Sequence, residues 1–203
     1  MKDLLAGYRR FRSHGWPAQS RAFASLAENG QAPKALVVTC VDSRIDPAMI
    51  FDTAPGDVLT VRNVANLVPP YAPDAAYHGT SAALEFGVRV LDVRNIIVLG
   101  HSSCGGVRAL LEGAPANAQE FIAPWMSIAQ PARIRALSHD STEARQQFCE
   151  HETIKVSLAN LMTFPWIAQA VAAGTLTLLG AWFDIRTGAL LTLQADGAFA
   201  PAE

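Results

Sequence analysis

The chain has 203 residues, half of them hydrophobic, with 16 basic and 18 acidic residues and a formal net charge of −2. That length supports one well-buried core, so a single domain over residues 1–203 is expected. No run of like charges appears, which excludes the basic stripe a nucleic-acid partner would need.

The first element, Leu4 to His14, reads as an amphipathic arm. Met1 to Trp16 lacks the apolar stretch of a secretory signal. Ala35 to Cys40 is a short, continuously apolar run, as expected of a strand covered on both faces. Asp46 and Pro47 then mark a helix start, a capping carboxylate followed by a proline at the first helical position. Val58 to Arg62 is a second strand. His78 to Leu91 is helical, with Leu84, Gly87, Val88 and Leu91 on one face. Asn95 to Gly100 is a third buried strand, and Gly105 to Leu111 begins another helix.

Ala123 to Asp140 contains Pro124 and Pro131 and reads as a broken helical excursion. Glu150 to Met162 is amphipathic through Ile154, Leu158, Leu161 and Met162. Val156 to Phe183 carries no charge and is long enough to span a bilayer, but Pro165, Gly174, Gly180, Asn160 and Gln169 interrupt it. It reads as helix, turn and buried strand, and no membrane partner is expected. Thr175 to Asp184 and Ala189 to Leu193 are strands joined across Thr187-Gly188. The whole is an α/β fold: a central, mainly parallel β-sheet with flanking helices, an N-terminal helical arm and an antiparallel C-terminal edge strand.

Cys40, Cys104 and Cys149 are the only cysteines. An odd, small number argues against a secreted disulfide framework and for a reducing cytoplasm, where thiols stay free to bind metal. Cys40-Val41-Asp42-Ser43-Arg44 and His101-Ser102-Ser103-Cys104 each follow the carboxyl end of an expected buried strand. Ligand crevices of open parallel sheets form there, so the two motifs are expected to converge. Two thiolates and an imidazole make a soft, tetrahedral zinc set, and three protein ligands leave a fourth position for water. Zinc brings the pKa of such a water to about 7. Asp42 is close enough in sequence to reach the same metal, and Arg44 can clamp it through a two-pronged pair. Two states follow, one with Asp42 as fourth ligand and one with Arg44 holding Asp42 away so that it accepts the water's hydrogen bond. Taken singly, each residue has a bland reading: a buried thiol, a turn aspartate, a surface ion pair. Cys149, without a partner motif, reads as structural.

These residues resemble the β-class carbonic anhydrases over roughly Lys34 to Leu193. The matching stretches are Cys40 to Arg44, Pro55-Gly56-Asp57, Val61 to Asn66 and Val68-Pro69-Pro70. Further on they are Gly79 with Ala82 to Phe86, Gly100 to Gly106, Ser157 to Leu161, and Trp182 to Ile185 with Gly188. The resemblance implies one zinc per chain on Cys40, His101 and Cys104, with Asp42 and Arg44 as the catalytic pair and Asp42 the fourth ligand in closed forms. It implies that Gln31, Leu59, Phe86 and Gly105 line the substrate pocket, Gln31 by hydrogen-bonding substrate. It also implies a homodimer or homotetramer whose pockets are lined from two subunits, with residues 1–30 packing across the dimer. Some bacterial members bind bicarbonate at a second site with a tryptophan three residues before the first zinc cysteine. Here that position is Val37, so no such regulation is expected despite the matching Arg62.

The expected reaction is reversible hydration of carbon dioxide to bicarbonate and a proton. Two alternatives stay open: a zinc-dependent hydrolase of carbon disulfide or carbonyl sulfide, and a non-catalytic zinc- or bicarbonate-binding module.

Overall fold

A computed structural model describes residues 1–202. The arm is α1 (Lys2–Arg10), a π-helical turn (Phe11–Gly15) and α2 (Trp16–Asn29). It continues past His14, where the amphipathic pattern of the sequence stops, through Gly15 and Pro17. The widened turn lies just before Pro17, which cannot donate to the preceding turn, and lets the helix continue. No residue of the arm is buried, and Leu4, Leu5, Tyr8 and Phe11 stand exposed along it.

The remaining elements follow as β1 (Ala35–Cys40), α3 (Pro47–Ile50), β2 (Val58–Asn63), α4 (Gly79–Glu85), β3 (Asn95–His101) and α5 (Gly105–Glu112). Next come α6 (Ile122–Met126), α7 (Gln130–Ala136), α8 (Thr142–Leu161), α9 (Pro165–Ala172), β4 (Thr177–Phe183), β5 (Leu190–Leu193) and β6 (Phe199–Pro201). Asp46 caps α3 as expected, its Oδ1 accepting from the Ala48 N–H at 2.9 Å. Two elements differ from the sequence reading. The helix expected from Glu150 begins at Thr142, where the Ser141 hydroxyl accepts from the Ala144 N–H, and β6 is an additional antiparallel strand. Among the described residues no helix is long and apolar enough to cross a membrane.

Six strands among the described residues form one sheet in the order β2-β1-β3-β4-β5-β6. The pairs β1–β2, β1–β3 and β3–β4 are parallel, and the last two pairs are antiparallel. Every residue of β1 is buried, which explains its unbroken apolar run. Leu36 and Val38 face a core with Ile96, Val98, Ile154, Phe164 and Ile167, while Val37 faces Ile45, Leu99 and Ala181. Helix α8 lies close on the sheet. A Cβ at Gly100 would stand 2.8 Å from Ile154, and one at Gly180 would stand 3.0 Å from it. The two glycines therefore admit Ile154 and draw α8 towards the carboxyl end of β3.

One turn before Ile154 on α8, His151 stacks on Phe199 at 4.2 Å and meets Trp182 edge-on. Burial lowers its pKa from 6.5 to about 4, and nearby Lys155 adds to the shift. A base with a depressed folded-state pKa leaves the unfolded chain to bind protons first, so stability falls as pH drops from 6.5 through 4. We expect about 2 kcal/mol of stability to be lost between pH 7 and pH 5 through this group. Urea unfolding of His151→Phe, which keeps the stacking, should show that much less acid sensitivity. Equal loss in both proteins would refute the assignment.

Candidate metal centre

Strand register assembles the site. Thr39 pairs with Leu99 across β1 and β3, so Cys40 and His101 leave the sheet at the same end. Cys104 closes the turn after β3 as N-cap of α5. The ligand atoms of Cys40, His101 and Cys104 all lie within 4.8 Å of one another, and all three residues are buried. The two sulfurs are 3.9 Å apart. Zinc–sulfur bonds of about 2.3 Å at tetrahedral angles span about 3.8 Å, so the pair is spaced for that ion. His101 Nδ1 donates to the Ser102 carbonyl at 2.9 Å, which fixes the tautomer and turns the Nε2 lone pair inward. Among the described residues that buried Nε2 has no hydrogen-bond partner. An orphaned imidazole nitrogen facing two thiols fits a bound metal.

Electrostatics agree. Cys40 is lowered to about 4 by its hydrogen bond with Cys104, by His101, and by the backbone N–H groups of Asp42 and Ala65. Cys104 is pushed well up by that same partner and by burial, since two thiolates so close repel. The apo pair thus carries one charge readily and a second only with a cation. Burial pushes His101 down, but the Cys40 sulfur, the Ser102 carbonyl and Asp42 outweigh it and raise its pKa. Ala65 adopts φ 63°, costly for a residue with a side chain, and this conformation aims its N–H at Cys40. The strand-end loop that holds it is stapled by α8: Ser157 donates to the Asn66 carbonyl and Asn160 to the Val68 carbonyl.

Asp42 stands outside the three-ligand group, its Oδ2 3.9 Å from His101 Nε2. Arg44 grips it with Nη2 to Oδ2 at 2.6 Å and Nε to Oδ1 at 2.9 Å, and the Arg44 backbone N–H adds a third bond to Oδ1. These bonds hold the Asp42 carboxyl well below the usual carboxylate range despite its burial. Arg44 also donates to the Ser103 carbonyl, tying the two motifs together. This is the arrangement in which the arginine holds the aspartate away from the metal position. Arg62, which the sequence singled out only by likeness, is fully engaged: it donates to the carbonyls of Cys40, Asp42 and Ile45 and so braces the loop that carries Asp42 and Arg44.

Gly105 follows Cys104 with open space where a side chain would stand. Gln31, Leu59 and Phe86 are not brought to this cluster. Gln31 is exposed between α2 and β1, and Phe86 is exposed just after α4. Leu59 pairs with Leu36 near the start of β1, four residues from Cys40, or about 13 Å along the strand. Sequence reasoning missed Glu150 and Gln146, which hold Cys104 from α8, and Trp182, which bonds Glu150 from β4. Trp182 lies in a matched motif, but no spacing rule linked either α8 residue to Cys104.

A family model described as carbonic anhydrase matches residues 35–190. A carbonic anhydrase of Pseudomonas aeruginosa is 38% identical over 200 residues, covering 98% of this chain and 89% of that protein. Beta carbonic anhydrase 3 of Arabidopsis thaliana is 37% identical over 209 residues, covering 100% and 80%. The solved structure of the β-carbonic anhydrase CcaA superposes with a TM-score of 0.92 at 32% identity, covering 100% of this chain and 92% of that one. One of two tetrameric β-carbonic anhydrases of Sordaria macrospora gives 0.83 at 27% identity, with 98% of each chain covered. With the ligand cluster, the parallel sheet and these matches in agreement, the chain belongs to the carbonic anhydrase family, within its β class.

Proposed function

We propose that this protein is a zinc enzyme that hydrates carbon dioxide reversibly to bicarbonate and a proton, with one zinc per chain on Cys40, His101 and Cys104. The observation that carries the reading is the Asp42–Arg44 pair poised beside a three-ligand cluster. A structural metal site has no use for such a pair. Zinc, when bound, supplies Lewis acidity that makes hydroxide available from water near neutral pH.

The rest falls to the chain's own residues. Arg44 keeps Asp42 ionised and fixed, so its carboxylate is an acceptor of defined direction. Asp42 accepts a hydrogen bond from the attacking water and turns a lone pair of that oxygen towards the carbon. Gly105 leaves an open flank beside Cys104 for a small substrate. Carbon dioxide is apolar and uncharged and calls for apolar walls, and Ala65, Leu67 and Val107 pack with Cys40 and Cys104 on this chain.

A neighbouring copy completes the pocket. Gln31, Leu59 and Phe86 serve the site of the adjoining subunit, with Gln31 hydrogen-bonding substrate. The assembly is at least a dimer. In support, the arm exposes Leu4, Leu5 and Tyr8, and a cavity of about 830 Å³ opens beside Val41, Val64, Phe121, Trp125 and Ile128. The three unpaired cysteines suit a reducing cytoplasm; recovery of the protein in a secreted fraction would contradict that placement.

Loss of ¹⁸O from labelled carbon dioxide, followed over a protein dilution series alongside sedimentation, tests both parts. Zinc-loaded protein should accelerate exchange, and activity per chain should fall as the assembly dissociates. No acceleration overturns the reaction. Undiminished activity in monomers overturns the shared pocket.

A further inference from the structure

We infer that Glu150 and Gln146 are positioning residues for Cys104, holding its backbone from α8 and so fixing where its sulfur stands. The inference rests on the reading of Cys40, His101 and Cys104 as a zinc site. Both residues lie on α8, one turn apart on the same face. Glu150 Oε1 accepts the Cys104 backbone N–H at 3.0 Å. Gln146 Nε2 donates to the Cys104 carbonyl at 3.0 Å and to Glu150 Oε1 at 2.7 Å. Both backbone polar groups of one ligand residue are therefore held by one helix. Trp182 Nε1 donates to the other oxygen, Oε2, at 3.1 Å, which stops the carboxylate from rotating.

The placement is built in from the core. Glu150 is 2% exposed. A carboxylate this deep costs several kcal/mol unless its oxygens are satisfied. Here three donors converge on it, from Cys104, Gln146 and Trp182. All three bonds are accepted by the carboxylate, so the position suits a group that accepts at both oxygens. A glutamine would turn an N–H against one of the three donors. Ile154, seated against Gly100 and Gly180 one turn further along, sets the distance between α8 and the sheet. Cys104 needs such support because it sits in a turn, where the preceding Ser103 has φ 58°, rather than in a strand like Cys40. A core role alone would stabilise the fold without touching the metal, whereas a positioning role must alter the metal itself.

The test uses the intact protein, wild type and Glu150→Gln, with Glu112→Gln as an exposed control. Zinc affinity is read by competition with a chromophoric chelator. Thiolate geometry is read from the visible absorption of the cobalt-substituted protein. Outer partners of metal ligands are typically worth 10–100-fold in affinity. Glu150→Gln should weaken zinc binding by about that factor and move the thiolate-to-cobalt band, with Glu112→Gln like wild type. Wild-type affinity and spectrum in Glu150→Gln would overturn the inference, even if its melting temperature fell. Should Glu150→Gln not fold, Gln146→Leu decides on the same readouts, where a shift in both supports the clamp and wild-type values overturn it. Wild-type protein that binds no zinc would refute the metal-site reading, and the inference with it.

Discussion

Exchanging Cys104 for serine is expected to strip the protein of zinc and to reduce carbon dioxide hydration to the uncatalysed rate. The sulfur is a soft anionic ligand, and serine offers a hard, neutral oxygen in its place. Losing an outer partner of a metal ligand already costs 10–100-fold in affinity, so losing a ligand itself should cost more than about 100-fold. Cys104 is 1% exposed, and its backbone bonds to Glu150 and Gln146 do not depend on the sulfur, so the fold should survive. Metal analysis after dialysis, with circular dichroism as a check on folding, measures this. A folded variant that keeps one zinc per chain and a normal rate would remove Cys104 from the ligand set.

Replacing Arg44 with alanine should separate catalysis from metal binding. The substitution deletes both side-chain bonds that restrain Asp42 and the tie to Ser103. The freed carboxylate lies 3.9 Å from His101 Nε2, close enough to turn into the fourth ligand position. Zinc should stay bound, since none of the three ligands is touched, and the rate should drop by about 100-fold or more, the cost of misplacing a reacting group. Stopped-flow hydration with parallel zinc analysis gives both quantities. A variant that hydrates carbon dioxide normally would show that the pair is only a surface ion pair. One that loses its zinc would show that the pair serves the metal rather than the reaction.

Much of the site could be read from the sequence because parallel strands put chemistry at their carboxyl ends. The apolar runs before Cys40 and before His101 belong to strands buried on both faces, and their shared register makes the two motifs meet. What escaped has a physical cause in each case. The first half of α8 turns Gln146 and Glu150 inward to hold Cys104, so the apolar period that marks a buried helix face is missing there. The arm continues through Gly15 and Pro17 by widening one turn, which no local preference indicates. Strand β6 is three residues long and contains a proline, too short for any alternation to show. Gln31, Leu59 and Phe86 bear no relation to their own chain's cluster, and likeness to the family was the only route to them.

Hydration that depends on one zinc per chain at the Cys40–His101–Cys104 cluster must return in step with the metal when metal-stripped protein is titrated with zinc. Stopped-flow hydration should rise linearly with added zinc and level off at one ion per chain. Protein that takes up one zinc per chain and still hydrates carbon dioxide no faster than buffer, from neutral to alkaline pH, would contradict it.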